Sequence, residues 1–90
     1  MNMRRTKMDI IGDMLISIQN KGGKIKPTHL MYKANLSHKL LNTYLDELVS
    51  KEMVSEIQKG PSKYLIITEK GVVFLSEFRK MKEFQDAFGL

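Results

Sequence analysis

Residues 28–51, THLMYKANLSHKLLNTYLDELVSK, constrain the fold more than any other part of the chain. Leu41, Tyr44, Leu45, Leu48 and Val49 recur at the i, i+3, i+4, i+7, i+8 positions that line one face of an α-helix, so this segment must lay an apolar stripe on a core. Ser37 stands where an N-cap is needed, its hydroxyl placed to accept from an otherwise unpaired amide of the first turn. Upstream, Thr28 is placed to cap a shorter helix over 29–34. Asn35 suits the connection because its side chain tolerates left-handed backbone. A helix of about two turns, a tight turn and a longer second helix make a helix-turn-helix.

The face opposite the stripe carries His38, Lys39, Asn42, Thr43 and Asp46. The first four, with Ser37 at the helix start, are residue types that reach base edges or phosphates when a helix lies in the major groove of DNA. Two helices that merely pack would show the same periodicity, and charge separates the two readings. Between Met14 and Leu45 the only charged residues are Lys21, Lys24, Lys26, Lys33 and Lys39. A face that is only solvated usually mixes signs.

The rest of the chain supplies the frame. A basic arm with Arg4 and Arg5 leads into a helix over 7–20, whose start is marked by Thr6 and Asp9 as an S/T-x-x-D/E pair and whose core face is Met8, Ile11, Met14, Leu15 and Ile18. The segment KGGKIKP, 21–27, ends that helix with glycines and reads as a loop, in which Ile25 is placed to pair with a later hairpin. Strands are expected over 52–58 and 63–68, rich in β-branched and aromatic residues, around the turn KGPS. A hairpin directly behind a helix-turn-helix is a wing. Its tip holds Lys59 and Lys63, with no acid between Ile57 and Thr68, and would lie on phosphates or in the adjacent minor groove. Thr68 then caps a long helix over 69–88, about 30 Å at 1.5 Å per residue. Phe74, Phe78, Met81, Gln85 and Phe88 follow the a/d spacing of a coiled-coil seam, with Phe84 beside them, and so predict a dimer interface.

With 90 residues the chain is the length of one small domain: a body over about 7–68 and a dimerisation helix over about 69–88. The fold class expected is mainly α with a small β-hairpin, α+β. A formal net charge of +5 favours polyanionic partners. The absence of cysteine removes disulfides, thiolate metal sites and cysteine nucleophiles and is compatible with a reducing cytoplasm. No apolar run approaches the roughly 18 residues of a membrane span, so a soluble, cytoplasmic, nucleoid-associated protein is expected. His29 and His38 show no metal-ligand spacing, and Asp46 and Glu47, adjacent on a helix, point apart, so neither a metal or other cofactor nor an enzymatic role is predicted.

The blocks MYKANLSHKLLNTYLDEL at 31–48 and TEKGVVFLSEF at 68–78, in the order helix, helix, turn, helix, hairpin, helix, resemble the archaeal winged helix-turn-helix family that includes transcription regulators and a small dimeric chromatin protein. The specific part is Tyr32, Lys33, Ala34, Asn35, Leu36 and Ser37, which match the family's turn. The resemblance covers nearly the whole chain and implies a double-stranded-DNA-binding fold whose long last helix pairs two subunits. Three readings follow: a homodimeric regulator, an architectural chromatin-type protein of little sequence specificity, and a winged-helix module that docks a protein partner. The DNA-facing residues expected are Arg4, Arg5, Lys33, Ser37, His38, Lys39, Asn42, Thr43, Lys59 and Lys63.

Overall fold

The computed structural model describes residues 5–90. They run as α1 (Lys7–Asn20), β1 (Lys24–Ile25), α2 (Pro27–Lys33), α3 (His38–Ser50), β2 (Val54–Lys59), β3 (Ser62–Ile67) and α4 (Glu69–Ala87). The sheet is antiparallel, in the order β1-β3-β2. Arg4 lies outside the described residues.

The starts of the helices follow from single side chains. Thr6 Oγ1 accepts from the Asp9 amide while the Asp9 carboxylate accepts from the Thr6 amide, both at 3.1 Å, which is the capping box. The Thr6 amide is the first cause of a lowered Asp9 pKa. Ser37 caps α3 by accepting from the Leu40 amide at 3.2 Å. Thr28 does not cap α2. The helix begins two residues earlier, on Pro27, whose ring presets helical φ and whose missing N–H costs nothing at that position, and Lys26 is the N-cap without a side-chain bond.

All four described helices end in one motif. The residue after the C-cap turns left-handed at Gly22, Asn35, Glu52 and Gly89, and the next amide reaches back to the third-last helical carbonyl. These bonds are Gly23 to Ile18 at 2.9 Å, Leu36 to Met31 at 2.9 Å, Met53 to Leu48 at 2.9 Å and Leu90 to Gln85 at 2.8 Å. Glycine adopts this backbone freely and Asn35 (φ 54°) does so with help from its short polar side chain, but Glu52 (φ 62°) does not. This places Glu52 in a turn, and β2 starts two residues later than the expected 52. Left-handed strain of ~1–2 kcal/mol, less the unfolded-state entropy glycine adds, makes Glu52→Gly stabilising by about 0.5–1 kcal/mol. Urea unfolding with an unchanged m-value measures it, and a loss of stability would remove the strain argument.

The hairpin closes on Gly60 and Pro61, a positive φ of 57° followed by the fixed negative φ of proline, the φ order of a type II′ turn. The single expected pairing of Ile25 is a two-residue strand, Lys24 opposite Ile66 and Ile25 opposite Leu65. The core is continuous from α1 (Met14, Leu15, Ile18) through Ile25, Leu30 and the α3 stripe to Leu65 and Leu75. Met8, expected in the core, is exposed at the rim of an apolar notch of about 170 Å³ that Ile11, Leu48, Met53 and Phe74 also line.

Thr68 locks the wing to α4. Its hydroxyl donates to the Glu52 carbonyl at 2.6 Å and accepts from the Gly71 amide at 3.0 Å, while its own amide donates to the Met53 carbonyl at 3.0 Å. A Cβ at Gly71 would collide with that Met53 carbonyl. The Thr-Glu-Lys-Gly sequence therefore encodes a close backbone contact.

Candidate nucleic-acid interface

α3 presents its first two turns to solvent. His38, Lys39, Asn42 and Thr43 are exposed opposite buried Leu41, Leu45 and Leu48. Several of their polar groups are already engaged. The Asn42 side-chain amide nitrogen lies 3.3 Å from His38 Nδ1, a hydrogen bond when Nδ1 accepts and the ring carries its proton on Nε2. Asn42 keeps its carbonyl oxygen and one N–H. Thr43 Oγ1 donates to the Lys39 carbonyl at 2.9 Å, leaving only its lone pairs, and Ser37 Oγ is held by its capping bond. One turn beyond Asn42 the exposed Asp46 sets an acidic limit to the face.

Ion pairing divides the cations into two sets. Arg5 does not stand free as a phosphate contact: its guanidinium bonds Asp13 Oδ2 at 2.8 Å and the Asn35 carbonyl at 3.0 Å, tying α1 to the turn before α3. Lys63 is paired with Glu56 at 2.6 Å, an acid one strand away on the hairpin. Glu47 takes Lys7 at 2.7 Å and Lys51 at 3.0 Å, and these bonds, Lys7 first, hold its carboxyl below the usual range. By contrast, Lys21, Lys24, Lys26, Lys33, Lys39 and Lys59 have no carboxylate within 4.0 Å among the described residues. The basic tract seen in the sequence thus survives folding as uncompensated charge. Lys33 lies at the rim of a groove that Asp13, Ser17, Asn20 and Lys21 also line, and Lys59 lies beside the hairpin turn.

Three features were missed by sequence reasoning. Tyr32, on α2, is 74% exposed, and Leu40 is exposed at the start of α3. Tyr64 on β3 carries two ammonium groups over its ring, Lys24 at 4.8 Å and Lys26 at 5.8 Å from the centroid. That grouping depends on the register of the β1–β3 pairing, Lys24 opposite Ile66, which the expected pairing of Ile25 with the hairpin left open.

The expected dimer seam is split. Phe78 is only 8% exposed: its ring lies over Gly12 of α1, where a Cβ would collide with it, so it fills the domain's own core. Phe74 is half-buried against the same core. The helix then runs antiparallel along α1, with Lys82 reaching Asp9 at 3.6 Å, and continues past the α1 start. Met81, Phe84 and Phe88 are exposed on this end, and Gln85 is half-buried.

No three His, Cys, Asp or Glu side chains gather as a metal site among the described residues, and no described helix is long and apolar enough to cross a membrane. A family model described as winged helix-turn-helix matches residues 4–86. Among solved structures, Sso10a-2, a DNA-binding protein from Sulfolobus solfataricus, superposes with a TM-score of 0.83 at 24% identity, covering 93% of this chain and 85% of that one. F93 from STIV, a winged-helix DNA-binding protein, gives 0.69 at 21% identity over 90% of both chains. MepR, a transcription regulator of the Staphylococcus aureus multidrug efflux pump MepA, gives 0.76 at 12% identity over 89% of this chain and 62% of its own. These likenesses are of fold. No curated protein sequence matches.

Proposed function

The chain belongs to the winged helix-turn-helix family, and from that premise we propose that it is a double-stranded-DNA-binding protein, a homodimeric transcription regulator and not an enzyme. α3 enters the major groove through His38, Lys39 and Asn42, the wing lies on the backbone through Lys59, and Lys33 takes a flanking phosphate. The observation that carries this reading is the set of lysines without carboxylate partners around an exposed polar helix face. Like charges left uncompensated on a small fold oppose its stability, and phosphates relieve them while releasing counterions.

One observation favours a second reading, an architectural protein of low specificity. The Thr43 hydroxyl hydrogen, one lone pair of Ser37 Oγ and one N–H of Asn42 are engaged within the helix, which narrows the choice of groups for base readout. Selection from random duplexes separates the two: one enriched motif marks a regulator, and none marks the architectural role. The shared premise is tested by the salt dependence of duplex affinity. Weak binding at every salt concentration would make the fold a protein-docking module instead.

Replacing Lys39 and Asn42 together by Ala should weaken duplex binding with helicity intact. Asn42 contributes discrimination of about 1–3 kcal/mol if it reads a base, and loss of Lys39 lowers the salt slope by about 0.9. Unchanged affinity in the folded double variant would take α3 out of the interface. The wing gives an asymmetric expectation. Lys59→Ala should lower the slope by about 0.9, whereas Lys63→Ala, whose charge Glu56 already meets, should lower it by less. Equal effects would show that the Glu56 pair opens on DNA, and no effect from either would leave the hairpin a structural turn.

A further inference from the structure

The outer face of the sheet gathers charge that neither α3 nor the wing tip explains. Lys24 pairs with Ile66 and Tyr64 with Ile57, and directly opposed residues share a face, so these four side chains lie opposite the face that buries Ile25 and Leu65. Lys26, two residues after Lys24, joins them, and both ammonium groups lie over the Tyr64 ring. The backbone beneath them is fixed: β1 is paired to β3, the Ile67 amide donates to the Gly23 carbonyl at 3.1 Å, and Pro27 follows Lys26 directly. No carboxylate of the described residues lies within 4.0 Å of either lysine.

We propose that Lys24 and Lys26, positioned by Tyr64, form a second phosphate-binding patch that grips the backbone of the DNA duplex beside the segment read by α3. This rests on the DNA-binding reading above. An exposed cation–π contact contributes little by itself. Its consequence is to hold two repelling cations on one ring with their freedom already reduced, an arrangement that a polyanion completes. The two ammonium groups over the ring would compete with a base for it, which points to the backbone of a duplex and not to a single strand.

The test uses the full chain and mixed-sequence duplexes. Lys24→Gln with Lys26→Gln keeps the aliphatic stems and removes the charges. The salt slope should fall by about 1.8, equally for every sequence, so the affinity advantage of the unmodified protein shrinks roughly tenfold between about 50 and 200 mM salt. Tyr64→Leu should weaken binding several-fold with the slope nearly kept, and Tyr64→Phe, which retains the ring, should restore it. An unchanged slope in the double Gln variant, with the Lys39 and Asn42 variant still impaired, overturns the patch and leaves the DNA reading standing. Absence of salt-dependent duplex binding by the unmodified protein removes both. Tighter binding to a single strand, lost in Tyr64→Leu, would overturn the phosphate assignment in favour of stacking.

Discussion

Phe78→Ala should cost the domain about 3–5 kcal/mol, the usual loss for emptying a buried aromatic site. A chain of this size has roughly 5–13 kcal/mol to lose, so the variant should stand at the edge of unfolding. The reason is local: α4 comes close to α1 because residue 12 is a glycine, and the Phe78 ring occupies the space a side chain would take. Gly12→Ala should then cost about 1–3 kcal/mol by overpacking in the presence of the ring and almost nothing in its absence. A double-mutant cycle by urea unfolding reads that coupling directly. If Phe78→Ala instead leaves stability unchanged and dissociates a dimer, the ring belongs to an intersubunit seam and the assignment to the core is wrong.

What the sequence made legible was local. The Thr6–Asp9 box, the Ser37 cap, the left-handed Asn35 and the α3 stripe all depend on residues a few positions apart or on a turn with its own chemistry, and each is found in the fold; the pairing of Ile25 with the hairpin is the long-range expectation found beside them. The start of α2 had a readable signal in Pro27, but Thr28 competed with it as a cap. Glu52 had none, because a glutamate in the left-handed region is held there by the chain around it. Charges were visible and their partners were not: Arg5 meets Asp13 and Lys63 meets Glu56 only once the helix and the hairpin exist. The a/d spacing of α4 is ambiguous for a physical reason. A helix packed on its own domain and a helix packed on a second copy need the same apolar recurrence, and this one divides it, Phe78 to the core and the last turns to solvent.

Those last turns carry the other large expected effect. Met81→Asp with Phe84→Asp should give a folded monomer whose affinity for a duplex with two half-sites falls about 10²–10⁴-fold, the range lost when an intramolecular second contact becomes intermolecular. Folding should survive because neither side chain is core: Met81 is 40% and Phe84 63% exposed, with Phe88 at 68%. The three recur at 3, 4 spacing on the end of α4 that passes beyond α1, and the Phe84 and Phe88 rings lie 5.0 Å apart at 44°, one continuous apolar strip. Such a strip is costly in water at about 25 cal/mol per Å² and is covered with least further invention by its own copy across a two-fold axis, where the same residues face each other. Half-buried Gln85 beside it would fix the register of that pairing, as one polar seam residue does in coiled coils. In the proposed dimer such a pairing would set two α3 helices on one duplex, so the loss should appear on paired half-sites and be small on a single one. Sedimentation of the unmodified protein comes first. A monomer at micromolar concentration would end the dimer proposal, and equal losses on paired and single half-sites would mean that the Asp substitutions act on DNA contact and not on assembly.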